Sequence, residues 1–283
     1  LHPELTADGS FTFFSLEFGE TFHSLQGARE EAERKFIQPT LLEQKAQKST
    51  LHLLDVCYGL GYNSAAALTK IWEVNPQCRV NLIGLELNSE VPQAAIAHQL
   101  LNLWPQPVNQ VLTELAFNFK VDREVLQAQL LIGDARQTIQ QVRLSGFLAD
   151  AIFLDPFSPP KCPQLWTVEF LGMVAECLQP QGRLATYSCA AAVRTALMAA
   201  GLKIGATTPV GRRSPGTVAS YTDDQLPTLS PPEYEHLQTK AAIPYRDCDL
   251  CDSAAKIWQR RQQEQQTSSL ESTSQWKKRW GFK

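Results

Sequence analysis

The 283-residue sequence has almost no excess of charge: 26 Lys and Arg stand against 29 Asp and Glu, a formal net charge of −3. With a pI near 6.0 no global basic field draws a nucleic acid, so such a partner has to be held by a local patch. No stretch approaches the ~18 consecutive apolar residues that would cross a bilayer. The start, Leu1-His2-Pro3-Glu4, lacks the basic and apolar regions of a signal peptide, so a cytoplasmic protein with no membrane partner is expected. The seven cysteines are odd in number and scattered, and Cys57, Cys177 and Cys189 fall inside predicted apolar elements, which reads as reduced thiols. Cys248-Asp249-Leu250-Cys251 has metal-ligand spacing, but no second Cys or His pair completes a tetrahedral set, and no metal is expected.

A third glycine is also missing where it would matter most. The apolar run Leu51-His52-Leu53-Leu54 leads into Asp55-Val56-Cys57-Tyr58-Gly59-Leu60-Gly61-Tyr62-Asn63, a strand, a glycine-permitted turn and the start of a helix. A dinucleotide fingerprint needs a third glycine at the position held by Ser64, so that reading fails. An acidic residue opening the turn, two alternating glycines and a second acidic residue ending the next strand suit an adenosyl amino acid, which has no pyrophosphate to cradle. Asp55, Gly59, Gly61 and Glu86 fill those places, with Glu86 closing Val80-Asn81-Leu82-Ile83-Gly84-Leu85 where a carboxylate meets ribose hydroxyls.

From Leu51 onward, strands at 51–56, 80–86, 129–132, 150–155 and 183–187 alternate with helices near 62–74, 89–102, 135–144, 167–178 and 190–200. That alternation predicts a parallel sheet covered on both faces. Leu202 to Ile204 and Thr217 to Tyr221 flank Gly211-Arg212-Arg213-Ser214-Pro215-Gly216, too close together for a parallel crossover and therefore an antiparallel pair. Five parallel strands with a terminal antiparallel hairpin is the α/β, Rossmann-like architecture of class I S-adenosylmethionine-dependent methyltransferases. Residues 1–50 form an N-terminal extension able to close over a ligand, a hairpin over residues 7–24 followed by a helix over 27–47. Residues 51–222 form the methyltransferase domain. Residues 223–283 turn to Pro, Gln, Ser and Thr and read as a polar tail, mobile in part. Its end, Trp276-Lys277-Lys278-Arg279-Trp280, interleaves cations with aromatics, which serves either single-stranded RNA contact or simple solubility.

Two further features fall at strand ends, where the fold puts chemistry. Leu131-Ile132-Gly133-Asp134-Ala135 places Asp134 either as acceptor for an adenine amine or as N-cap of the helix that Ala135 starts. Asp155-Pro156-Phe157-Ser158-Pro159-Pro160 puts a carboxylate at the edge of a transferable methyl group, where it can orient an amine and take up its proton, or else marks an Asp-Pro turn. With Cys57 and Asn63 of the turn, the candidate cofactor set is Asp55, Cys57, Gly59, Gly61, Asn63, Glu86, Asp134 and Ala135, and the cofactor is S-adenosyl-L-methionine.

These residues resemble a known family. Thr6-Ala7-Asp8-Gly9-Ser10 and Ser15-Leu16-Glu17-Phe18-Gly19-Glu20-Thr21-Phe22-His23-Ser24 resemble the amino-terminal signature of the MnmC methyltransferase domain, which acts on the wobble uridine of bacterial tRNA. So do Phe153-Leu154-Asp155-Pro156-Phe157-Ser158-Pro159-Pro160-Lys161-Cys162-Pro163, then Gly182 to Ser188, Ala191 to Arg194 and the Gly211-Arg212-Arg213 hairpin. The resemblance covers residues 5 to 222. It implies methylation of the aminomethyl group on the wobble uridine or 2-thiouridine in the tRNA anticodon loop, with Asp155 and Phe157 as catalytic-loop pair. It further implies RNA contact by Lys161, Arg212 and Arg213, and a separate enzyme to supply the aminomethyl form, since the oxidase domain of bifunctional members has no room here. The chain departs from the family at Cys57 and Leu60, where Gly and Thr are usual, and at Pro156 and Cys162, where Gly and Asn are usual. An aminopropyltransferase of the spermidine synthase type and a noncatalytic RNA-binding protein on the same fold remain as alternatives.

Overall fold

The computed structural model describes residues 2–209, 214–222 and 225–282. Three strands, β1 (Pro3–Leu5), β2 (Phe11–Ser15) and β3 (Glu20–Thr21), form a small antiparallel sheet in chain order. The expected hairpin is β2–β3, with β1 added along its free edge. The single helix expected over 27–47 is instead α1 (Ala28–Ala32), a π-helical stretch Glu33–Ile37 and α2 (Leu42–Lys45). Pro39 has no N–H for an intrahelical bond and restricts the residue before it, so the helix stops there and restarts after Leu41 in the left-handed region (φ 57).

The main body runs β4 (Thr50–Val56), α3 (Tyr62–Val74), β5 (Arg79–Glu86), α4 (Glu90–Ala97), α5 (Gln106–Asn118), β6 (Lys120–Arg123) and β7 (Leu126–Ile132). It continues through α6 (Ala135–Leu144), β8 (Ala149–Leu154), α7 (Val168–Glu176), β9 (Leu178–Thr186), α8 (Ala191–Ala199), β10 (Lys203–Ala206) and β11 (Thr217–Ser220). The sheet order is β10-β11-β9-β8-β4-β5-β7-β6. The five central strands pair in parallel. β11 lies antiparallel between β9 and β10, the terminal hairpin expected from the sequence. A further antiparallel edge strand, β6, and the helix α5 before it were not anticipated. Pro105 and Pro107 disguise the start of α5, whose Val108, Leu112, Leu115 and Ala116 are buried, and β6 buries only Val121.

Alternation along β4 sorts its side chains between the two layers: Leu51 and Leu53 join the core under α3 and α5, Leu54 and Val56 the core under α6, α7 and α8. Every parallel strand therefore ends on one edge, bringing together the turn after β4, Glu86, the 133–135 turn, the loop after Asp155 and Tyr187. The β4–α3 turn demands unusual backbone at three residues, Cys57 (φ 68), Gly59 (φ 56) and Gly61 (φ 84). A Cβ on Gly61 would lie 2.6 Å from the Tyr58 hydroxyl. Gly61→Ala is therefore expected to destabilise the protein by about 1–3 kcal/mol, from left-handed strain plus overpacking. Urea unfolding measures this, and an unchanged midpoint would show that the turn relaxes freely.

The loose polar tail expected after residue 222 is corrected by α9 (Pro231–His236), α10 (Ala254–Thr267) and α11 (Thr273–Arg279). Ile257 is fully buried, and Arg261 lies 4.5 Å over the Tyr245 ring while its Nε donates to the Ile243 carbonyl. Trp276 stacks on His236 with ring centroids 4.1 Å apart, and Arg279 pairs with Glu235 and Glu271. Composition misled because each helix is held by one or two anchors in a polar context. Among the described residues no helix is long and apolar enough to cross a membrane.

Candidate active site

A cleft of about 1050 Å³ opens at the carboxyl edge of the sheet beneath the N-terminal extension. Of the sequence-derived candidates, Cys57, Gly59, Glu86, Asp134, Ala135, Asp155 and Phe157 line it together. Asp55, Gly61 and Asn63 are not on its wall. Asp55 has the strand parity of Leu51 and Leu53, so it points under α3, where Ser64 Oγ donates to its Oδ2 at 2.7 Å. Gly61 packs against Tyr58. Asn63, buried, reaches the site through one bond: its Nδ2 donates to Asp155 Oδ2 at 2.9 Å. Lys161 is exposed, with Nζ beside Gly19 at the β2–β3 turn. Arg212 and Arg213 lie outside the described residues.

In the cleft wall, Glu86 is buried and held by two backbone donors: Gly59 N–H to Oε2 at 2.8 Å and Asn88 N–H to Oε1 at 3.0 Å. Burial raises its pKa against those two bonds. Cys57 stands in the left-handed region that a glycine adopts freely, a strain of about 1–2 kcal/mol for any residue with a Cβ. Asp134 does cap α6, its Oδ1 accepting the Arg136 N–H at 2.9 Å, and its carboxylate is also gripped by Arg136 Nε and Nη2. It still shows part of its side chain to the cleft, so cap and wall coincide in one residue.

Asp155 lines the cleft just after β8, across β4 from Glu86's strand. Burial pushes its pKa well above the usual carboxylate range, the charge of Glu31 adds to the rise, and the bond from Asn63 opposes it. Phe18 stacks on Phe157 at 4.4 Å with 16° between the rings, and Phe22 meets it edge-on at 5.0 Å. Glu20 accepts from both the N–H and the hydroxyl of Ser158, tying β3 to the loop after Asp155. Tyr187 Oη and Trp166 Nε1 donate to the carbonyls of Pro156 and Phe157 at 2.9 and 2.8 Å. Glu31 lines the cleft too, accepting from buried Lys35 at 2.7 Å and from Ser24 N–H at 2.8 Å. Sequence reasoning assigned no site role to Phe18, Glu20, Phe22, Glu31 or Tyr187. The aromatic-rich turn around Phe18-Gly19-Glu20 was a usable signal for the first three. Nothing marked Glu31, since a helical glutamate is ordinarily solvated.

The residues present fit S-adenosyl-L-methionine. The Glu86 carboxylate lines the cleft beside Gly59, where the turn presents no Cβ to an incoming ligand. The acidic lining suits a positively charged sulfonium. Burial lifts Asp55 to about 7. Fold and cleft together define a class I S-adenosyl-L-methionine-dependent methyltransferase.

Comparison with known proteins narrows this. Residues 92–222 match a family described as S-adenosyl-L-methionine-dependent methyltransferase. The crystal structure of MNMC2 from Aquifex aeolicus superposes with a TM-score of 0.83 at 34% identity, covering 94% of this chain and 85% of that one. The tRNA 5-methylaminomethyl-2-thiouridine biosynthesis bifunctional protein MnmC of Ralstonia nicotianae is 30% identical over 234 residues, 77% of this chain and 34% of that protein. An uncharacterised protein of Methanocaldococcus jannaschii is 28% identical over 271 residues, 91% of this chain and 70% of that protein. The chain belongs to the MnmC methyltransferase family; it is an enzyme, and its cofactor is S-adenosyl-L-methionine. It spans about a third of the length of the bifunctional relative.

Proposed function

We propose that this enzyme methylates the amine of the 5-aminomethyl group on the wobble uridine or 2-thiouridine of tRNA, giving the 5-methylaminomethyl form. The observation that carries the reading is Asp155: a cleft carboxylate after β8, with β4 between that strand and Glu86's β5, oriented by Asn63 and next to Phe157. S-adenosyl-L-methionine, when bound, supplies an electrophilic methyl group. Glu86 accepts from its ribose hydroxyls. Asp155 accepts an N–H of the incoming amine, sets its lone pair toward the methyl and takes up the proton that leaves, a role its raised pKa favours. Phe157, with Phe18 and Phe22, gives a flat base an apolar wall and excludes water from the nitrogen. Lys161, Arg212 and Arg213 supply phosphate contact on a chain whose net charge is only −3, and a separate enzyme supplies the aminomethyl-uridine.

An aminopropyltransferase would need free carboxylates along a polyamine channel. Five of the cleft carboxylates are engaged, Glu20 with Ser158, Glu31 with Lys35 and Ser24, Glu86 with Gly59 and Asn88, Asp134 with Arg136 and Asp155 with Asn63, and the other three, Glu4, Glu17 and Glu90, are exposed rather than enclosed in a channel. Purified enzyme given methyl-labelled S-adenosyl-L-methionine and tRNA from a strain lacking the modification is expected to label the tRNA, and the same enzyme given decarboxylated S-adenosylmethionine and putrescine is expected to form no spermidine. Spermidine formed in the second reaction with no label in the tRNA of the first would overturn the reading.

A further inference from the structure

Three prolines, Pro156, Pro159 and Pro160, leave the loop after Asp155 short of N–H donors, so beside the Ser158–Glu20 bonds it is held by its carbonyls. Three aromatic side chains do this. Tyr187 and Trp166 hold the carbonyls of Pro156 and Phe157, and both belong to the main body. The third donor, Trp258 Nε1, reaches the Pro160 carbonyl at 3.1 Å from α10, well beyond residue 222 where the family match ends.

A second part of the cleft wall, Asp134, is tied to the same segment. Arg136 grips Asp134 with Nε and Nη2, while its Nη1 donates to Asp247 Oδ2 at 3.0 Å and to the Asp252 carbonyl at 2.9 Å. Asp247 is fully buried, and its Oδ1 accepts the N–H groups of Cys251 and Asp252, both at 3.1 Å. Cys248-Asp249-Leu250-Cys251 is thus a turn folded around the Asp247 carboxylate, with Leu250 in the left-handed region (φ 54). Tyr245 and Trp258 meet edge-to-face at 5.5 Å with Arg261 over both rings, and Val168 N–H donates to the Tyr245 carbonyl at 3.1 Å. Asp247 and Trp258 therefore sit on one packed piece.

We infer that residues 245–261 are part of the active site: Trp258 positions the catalytic loop beside Asp155, and Asp247 positions the Arg136–Asp134 pair on the cofactor side. The catalytic-loop half rests on the amine-methylation reading; the cofactor half does not.

The test uses Trp258→Phe, which keeps the ring and removes the donor, and Asp247→Asn. Trp258→Phe should lower kcat about tenfold, the worth of one hydrogen bond at ~1.4 kcal/mol, with cofactor Kd unchanged. Amide hydrogen exchange at Phe157, Ser158, Lys161 and Cys162 should quicken while that of β9 stays the same. Asp247→Asn should weaken cofactor binding about tenfold by calorimetry and leave kcat at saturating cofactor within about twofold. Should Asp247→Asn fail to fold, Arg136→Lys reads the same link from its other end and should again raise cofactor Kd. Proportional losses of kcat and affinity with a lower melting temperature would reduce the segment to a structural brace and overturn the inference, as would unchanged exchange and affinity. Wild-type enzyme that transfers no methyl group to tRNA would sink the proposed acceptor, while exchange and calorimetry still decide this inference.

Discussion

Asp155→Ala is expected to lower kcat by about 10²–10⁴-fold, the range for loss of a positioned base, while cofactor affinity stays within a few-fold of wild type. The asymmetry follows from placement: Asp155 ends β8 and is oriented by Asn63, whereas Glu86 ends β5 and is held by Gly59 and Asn88. Stopped transfer with intact cofactor binding is the expected result; equal loss of both would assign Asp155 to the cofactor or the fold. Because burial and Glu31 raise the Asp155 pKa, kcat/KM should climb with pH through a value above the ordinary carboxylate range, since only the ionised group can take the proton. The same shift has the opposite sign for stability. A carboxyl whose folded pKa is raised contributes most below its unfolded value and loses that contribution as pH rises through the folded value. For Asp55 this window runs from 3.8 to about 7. Catalytic competence and fold stability therefore diverge as Asp155 in the cleft and Asp55 beneath α3 ionise.

The second large effect is on the cofactor. Glu86→Ala removes the acceptor for the Gly59 and Asn88 N–H groups and, on the proposed reading, for ribose hydroxyls, and should raise the Kd for S-adenosyl-L-methionine about 100-fold. That corresponds to ~2.7 kcal/mol, within the range for hydrogen bonds to a charged group. Glu86→Gln, which keeps one acceptor oxygen and the side-chain shape, should fall between. Affinity within a few-fold of wild type in both variants, read by calorimetry, would mean that the ribose is held elsewhere.

The parallel sheet and the strand-end carboxylates were legible because both follow from local pattern: apolar runs of strand length ending in Asp, Glu or Gly. The facing of individual side chains was legible only in part. Asp55 shares the parity of Leu51 and Leu53, which already directs it away from the cleft, yet its position at the turn suggested a ligand contact. Asn63 joined the site as a neighbour of Asp155, 92 positions away, a pairing that only the β4–β8 adjacency creates. Phe18, Glu20 and Glu31 came from a segment folded back over the sheet, and the tail from anchors too sparse to show in composition. Each of these depends on long-range docking, which neither periodicity nor turn chemistry encodes.

The most direct measurement is the identity of the product nucleoside. The enzyme is incubated with labelled S-adenosyl-L-methionine and bulk tRNA from a strain that lacks this methylation, and the tRNA is digested and its nucleosides separated. Label in 5-methylaminomethyl-uridine or its 2-thio form, and none with Asp155→Ala, is the predicted result. Label in any other nucleoside, or no label from enzyme that binds the cofactor, would contradict it.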